Sequence, residues 1–279
     1  MIAQDVMTMP KWLRWLLIAV FTLVFLVSGW MLADYYIESN KQQQTFDQLA
    51  DMVQQARPER PTIPEVPQAP EATQPQPEPT QPPEPTQPQI LAAYEEISQL
   101  NPDMAGWLTI ENTDINYPVM HTPDRVDYYL HRDFYGNYSG HGCLYAREQC
   151  DINAPSDNVT IYGHNMKDGS MFADLMEYSS KRFWESHRYV HFDSLTQYHT
   201  YEIFAVFTTT ASKGKGFTYH QFVDAKDEAD FNEFVAQCKA LSLYDTGITP
   251  VYGDKLITLS TCEYTQTNGR FVVVAKRIN

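Results

Sequence analysis

Residues 15–33 form an uncharged, almost wholly apolar run of nineteen residues. No other stretch limits the chain so strongly, because a helix of that length spans about 30 Å of hydrocarbon. Lys11 and Arg14 precede the run and Asp34 and Glu38 follow it. That bias places the N-terminus in the cytoplasm and the rest of the chain outside it. Trp12, Trp15, Trp30, Tyr35 and Tyr36 fall where aromatic side chains meet the two interfaces. The run exceeds the core of a signal peptide, and Met31-Leu32-Ala33 makes a poor cleavage site, so an uncleaved signal anchor is expected over a removable leader.

The next stretch does not look globular. Residues 34–57 are polar, helical or disordered, and within residues 58–88 twelve of thirty-one positions are Pro, interleaved with Glu, Gln and Thr. Such a composition favours extended polyproline II and buries little apolar surface. At about 3.1 Å per residue it forms a semi-rigid spacer reaching on the order of 90 Å. The expected organisation is a cytoplasmic segment 1–14, a membrane anchor 15–33, an extracellular polar and Pro-rich linker 34–89, and one folded domain 90–279. That domain is long enough for a well-buried core. The net charge of −15 argues against nucleic acid, which needs a basic surface. Four Cys without CxxC spacing argue against a zinc site or a disulfide scaffold, and neither metal nor cofactor is expected.

Inside the folded part, Ile90, Tyr94, Ile97 and Leu100 recur at helical spacing before Asn101-Pro102 ends the helix. Short strands are expected at 106–111, 115–120, 142–146, 158–164, 189–192 and 201–209, with a helix near 170–178. Residues 210–254 are long for a loop and carry their own helix, with Phe231, Phe234, Val235, Cys238 and Leu241 on one face. Two further strands follow, 255–262 and 271–275. In the first, Ile257 and Leu259 alternate with Thr258, Ser260 and Cys262; if the former pair faces the core, Cys262 lies on the other face at the strand's end. The polar loop 263–269 ends in Asn268-Gly269 and turns the chain back, so Arg270 comes to sit beside Cys262. Many short strands at this spacing form a barrel or sandwich.

A strand ending Thr258-Leu259-Ser260-Thr261-Cys262, an Arg opening the next strand, and an upstream Tyr162-Gly163-His164 resemble the sortases, cysteine transpeptidases of Gram-positive cell envelopes. The resemblance covers roughly residues 90–279 with the motifs in the family's order. Gly106-Trp107-Leu108, Tyr117-Pro118-Val119, Tyr129-Leu130 and Gly163-His164-Asn165-Met166 look most like class B. The resemblance implies a mainly β fold: an eight-stranded sortase-type barrel with an N-terminal helix and a helix inserted before the Cys strand. It implies that Cys262 attacks a Thr-x bond in the sorting signal of a secreted protein, forms a thioester, and passes the protein to an amine of a cell-wall precursor or a pilin lysine. By the same resemblance His164 is the general acid/base and Arg270 the oxyanion stabiliser.

Residue types agree with these roles. A thiolate is the nucleophile, a nearby His moves its proton, and Arg offers a fixed fork of donors but stays protonated. Ser260, Thr261 and Glu263 flank the nucleophile and are candidate substrate contacts. Cys238 suits a buried helix face, and Cys143 and Cys150 flank a turn-like segment where a disulfide is conceivable. Two other readings are a secreted Cys/His hydrolase such as a peptidoglycan endopeptidase, and a non-catalytic envelope-binding module in which Cys262 is inert. Residues 272–279 contain no second apolar span followed by basic residues, so the chain is expected to attach other proteins and to carry no sorting signal itself.

Overall fold

The computed structural model describes residues 10–56, 89–212 and 214–279. The chain divides into two compact units, Met1–Thr45 and Phe46–Asn279. Helix α1 (Lys11–Ala56) begins in the first. It is long and apolar enough to cross a membrane.

In the second unit the last turns of α1 carry Phe46, Leu49 and Val53, all buried. Their spacing of three and four puts them on one helix face, and the Phe46 ring meets Tyr117 edge-on at 5.1 Å. These three apolar side chains bring the polar end of α1 into the core of the compact unit Phe46–Asn279. The Pro-rich spacer expected over 58–88 lies outside the described residues. Helix α2 (Ala92–Leu100) buries Ala93, Tyr94 and Ile97 in the same core cluster and stops at Asn101.

Eight strands follow: β1 (Met104–Thr109), β2 (Asn116–Met120), β3 (Leu144–Ala146), β4 (Asn158–Tyr162), β5 (Tyr189–Ser194), β6 (Thr200–Thr210), β7 (Leu256–Glu263) and β8 (Gly269–Arg277). They close in the order β1-β2-β3-β4-β7-β8-β6-β5. Closure leaves no unpaired strand edge. The pairs β2/β3 and β4/β7 are parallel, and all others antiparallel. Where a helix was expected near 170–178, the chain makes a 3-10 turn at Ala173–Ser179 and then the short helix α3 (Lys181–Ser186).

Two cores result. Inside the barrel lie Ile257 and Leu259 of β7 with Phe271, Val273 and Ala275 of β8 and Ile203 and Val206 of β6. On the outer face, helix α4 (Glu228–Leu241) of the β6–β7 insertion packs Phe231, Phe234, Val235 and Cys238 against Phe204, Phe207, Leu256, Val272 and Val274. Asp227 caps α4 by accepting from the Asp230 amide at 2.9 Å. The insertion is thus a second layer over β6, β8 and β7. All four cysteines are free. Cys143, Cys150 and Cys238 are buried, and burial pushes the Cys150 thiol up to about 11.

Because α1 ends and α2 begins in one core, cutting the chain within residues 57–88 should leave the two pieces associated. A protease site engineered there, followed by size-exclusion chromatography, checks this. Co-elution is expected, and Leu49→Asp, which places a charge on the buried face, should separate the pieces. Separation without that substitution would mean that the end of α1 is not part of the domain.

Candidate active site

β7 is central because it pairs with β4 on one side and β8 on the other. On the β8 side Cys262 stands directly opposite Arg270, and Glu263 opposite Gly269. Side chains facing each other across an antiparallel pair share a face, about 5 Å apart at Cβ. Cys262 is partly exposed, unlike the other three cysteines, and Arg270 is half-buried. Its Nη1 donates to the Gly269 carbonyl at 2.9 Å and to the Asn268 carbonyl at 3.4 Å. Asn268 has φ of 53° at the turn that reverses the chain into β8. Among the described residues no ion pair joins Arg270 to Glu263. The guanidinium is therefore held by backbone carbonyls on the Cys262 face.

On the β4 side the strands run parallel, with Tyr162 opposite Ser260. His164 lies two residues beyond Tyr162, as Cys262 lies two beyond Ser260, so parallel strand ends deliver both to the same rim. Gly163 is needed between them: a Cβ there would collide with Leu144 and Phe172. The His164 ring is fixed by the segment before β3. Its Nε2 lies 2.8 Å from the Leu130 carbonyl, and since a carbonyl only accepts, Nε2 carries the proton. His131 stacks on His164 with ring centroids 5.4 Å apart. Gly142, at φ of 62°, lets that segment turn where any side chain would strike the Leu130 carbonyl. Burial holds the His164 imidazole below its ordinary range; His131 and His141 push the same way, against the bond to Leu130. The resting ring is neutral at pH 7, with Nδ1 left unprotonated.

The three candidate substrate contacts are placed differently from the nucleophile. Ser260 is buried, its Oγ 2.6 Å from the hydroxyl of Tyr219 in the insertion. Thr261 is buried and donates to the Gly163 carbonyl at 2.8 Å. Glu263 is buried, with Oε1 accepting from the Thr265 amide at 2.7 Å and Oε2 without a partner. All three side chains are engaged with the protein itself. Residues given no role in the site from sequence complete the rim. The Asn165 side chain donates to the Cys262 carbonyl at 3.1 Å, and the exposed Tyr264 donates to the Asn165 carbonyl at 3.1 Å. Tyr219 belongs to the outer core; burial raises its hydroxyl pKa, while Arg270 and Cys262 act on it in opposite directions. Nothing in local sequence signals Tyr219, since only the folding of the insertion over β7 brings it there. Among the described residues no cluster of His, Cys, Asp and Glu could hold a metal ion.

The Sortase domain family matches residues 108–278. Sortase B of Listeria monocytogenes is 37% identical over 186 residues, 66% of this chain and 73% of that protein. The structure of sortase B from Bacillus anthracis superposes with a TM-score of 0.68 at 27% identity, covering 86% of this chain and 97% of that one. A Staphylococcus aureus sortase B–substrate complex shares the fold, with a TM-score of 0.70, 24% identity, and 87% and 99% of the two chains covered. With its closed barrel, its Cys262–Arg270 pair and these relatives, the chain belongs to the sortase family and is a class B cysteine transpeptidase.

Proposed function

We propose that this transpeptidase cleaves a C-terminal sorting signal of secreted proteins after Thr, holds the protein as a thioester on Cys262, and transfers it to an amine of the cell wall or of a pilin. The observation that carries the proposal is the cross-strand register placing Cys262 and Arg270 face to face at the rim where the β4 end delivers His164.

In the resting enzyme His164 is a neutral base with Nδ1 available, so it takes the thiol proton as Cys262 becomes the nucleophile. Sulfur bonds to the threonyl carbonyl carbon and the carbonyl electrons move onto oxygen. The Arg270 fork, held by two backbone carbonyls on the same face, stabilises that developing negative charge. As the carbon–nitrogen bond breaks, His164 returns its proton to the departing amine and the thioester remains. In the second half an acceptor amine attacks the thioester carbonyl, His164 takes the amine proton, and the thiol is regenerated as the new amide forms. Ser260, Thr261 and Glu263, buried beside the nucleophile, hold its strand in place.

The first unit gives this site its location. Helix α1 anchors the protein through residues 15–33, with the N-terminus cytoplasmic and the catalytic unit outside, among secreted substrates and wall amines. The apolar run and the Lys11 and Arg14 charges before it support that orientation.

Incubating the enzyme with sorting-signal peptides and an amine tests the reaction. Intact-protein mass spectrometry should find an acyl adduct on Cys262 and an amide product that grows with amine concentration. Cys262→Ala should show neither while remaining folded by circular dichroism. An adduct that persists in Cys262→Ala, or maps to Cys143, Cys150 or Cys238, would sink the assignment.

Arg270→Lys separates a fork from a charge. Lys keeps the charge but loses the planar donors, so kcat should fall roughly a hundredfold, on the order of 3 kcal/mol, with KM little changed. A kcat close to wild type would remove Arg270 from the catalytic set.

The pH profile tests His164. Burial lowers its pKa, so the proton-accepting form persists below the usual value of about 6.5 and is lost only as the pH falls through the lowered value. The acid limb of kcat/KM should therefore have its midpoint below about 6.5. Because the folded ring resists protonation, the unfolded chain binds more protons in that window. Stability should then fall as the pH drops below about 6.5, and urea unfolding between pH 7.5 and 5 measures it. An acid limb above pH 7 would contradict the neutral-base role.

A further inference from the structure

The β4–β7 ladder stops just short of the two reacting side chains, and what replaces it is unusual. Parallel strands exchange evenly spaced hydrogen bonds in a fixed series. Here the last backbone bond of the series runs from the Gly163 amide to the Ser260 carbonyl at 3.2 Å. Continued, the series would next join the Cys262 amide to the Gly163 carbonyl, then the Asn165 amide to the Cys262 carbonyl. Both acceptors are instead taken by side chains. Thr261 Oγ1 donates to the Gly163 carbonyl at 2.8 Å, and Asn165 Nδ2 donates to the Cys262 carbonyl at 3.1 Å.

A side-chain donor has greater reach than a backbone amide, so the strands can diverge while their ends stay tied. The place where they diverge is the gap between His164 and Cys262, which must admit a peptide carbonyl. The His164 end is fastened on its other side as well. The Phe172 amide donates to the His164 carbonyl at 2.8 Å, and Asn165 bridges Met171. Tyr264, two residues past the nucleophile, closes a reciprocal bond onto the Asn165 carbonyl. Thr261 and Tyr264 act from neighbours of Cys262, whereas the Asn165 amide holds the carbonyl of Cys262 itself.

We propose that Asn165 is a positioning residue for the transpeptidation: its amide donates to the Cys262 carbonyl in place of the strand ladder and sets the span between His164 and the nucleophile. The inference rests on the roles given to Cys262 and His164 above. Asn165 hydrogen-bonds the backbone carbonyl of Cys262 and not its thiol, so it acts through the backbone that carries the nucleophile. Its side chain must be a donor, since the atom it meets is a carbonyl oxygen. Aspartate has nearly the same shape and presents only acceptors when ionised, so it separates the bond from the packing.

The test compares wild type, Asn165→Ala and Asn165→Asp in the full catalytic unit. Three quantities are measured: kcat and KM on one sorting-signal peptide with an amine acceptor, the rate of iodoacetamide alkylation mapped to Cys262 across pH 5–10, and the thermal midpoint. A misplacement of about an ångström between reacting groups costs up to a hundredfold. Both variants should therefore lose on the order of tenfold to a hundredfold in kcat with KM within about twofold, Asn165→Asp at least as much as Asn165→Ala. The alkylation profile of Cys262 should shift along the pH axis, because proton exchange with His164 depends on the span. Restoring the donor with Asn165→Gln should recover part of kcat relative to Asn165→Asp. Wild-type kcat in Asn165→Asp would overturn the inference, as would an unchanged alkylation profile or a loss of kcat that tracks the folded fraction. Failure of the underlying roles looks different, since wild-type enzyme would then form no acyl adduct on Cys262.

Discussion

The pairing of β7 with two neighbours of opposite sense is the constraint on which the rest depends. Its antiparallel bond to β8 fixes Cys262 against Arg270, and a slip of one residue would send one of them to the opposite face. Its parallel bond to β4 brings the end carrying His164 to the same rim. Register is strongly specified where both faces of a strand are buried, and from Leu256 to Thr261 every residue of β7 is buried. The barrel interior holds Ile257 and Leu259, while the outer face is covered by the insertion. The packing of two cores is therefore what aligns Cys262 and Arg270 with His164, which lies far upstream in the sequence.

The outer core has a direct bearing on the site. Alternating strands usually show polar residues toward water, and Thr258 and Ser260 of β7 look like such residues. Both are buried, with Thr258 donating to the Asn158 side chain at 2.8 Å and Ser260 paired with Tyr219. Buried hydroxyls are stable only when hydrogen-bonded, and here those bonds tie β7 to β4 and to the insertion. The outer face of β7 is thus polar but dry until it reaches Cys262, where the cover ends. The thiol is partly exposed because it is the first residue of that face beyond the insertion's hydroxyl-bonded edge.

Much of this was legible in the sequence because it is local. Period-two alternation located the strands, and the phase of Ile257 and Leu259 put Cys262 on the face away from the interior. The turn at Asn268-Gly269 set Arg270 beside it. Helical spacing found α4 and the buried face of Cys238. What escaped was non-local. Ser260 and Thr261 stand as candidate substrate contacts in the sequence, and only the insertion and the β4 end, forty to a hundred residues distant, supply the partners that bury and bond them. Tyr219 and the Leu130 carbonyl gave no signal for the same reason. The 3-10 turn at Ala173–Ser179 read as a helix because apolar spacing of three and four does not separate the two at that length.

The end of α1 shows how few residues decide a boundary. A polar, Gln-rich stretch is a natural reading of residues 34–57, yet Phe46, Leu49 and Val53 fall on one face and are buried. Burying a side chain of this size stabilises by about 1.5–3 kcal/mol, which favours docking of these turns on the core. Tyr94 and Ile97 of α2 belong to the same cluster. The end of α1 and the start of α2 thus belong to one folded unit. Residues 34–45, between the apolar run and Phe46, lie within helix α1.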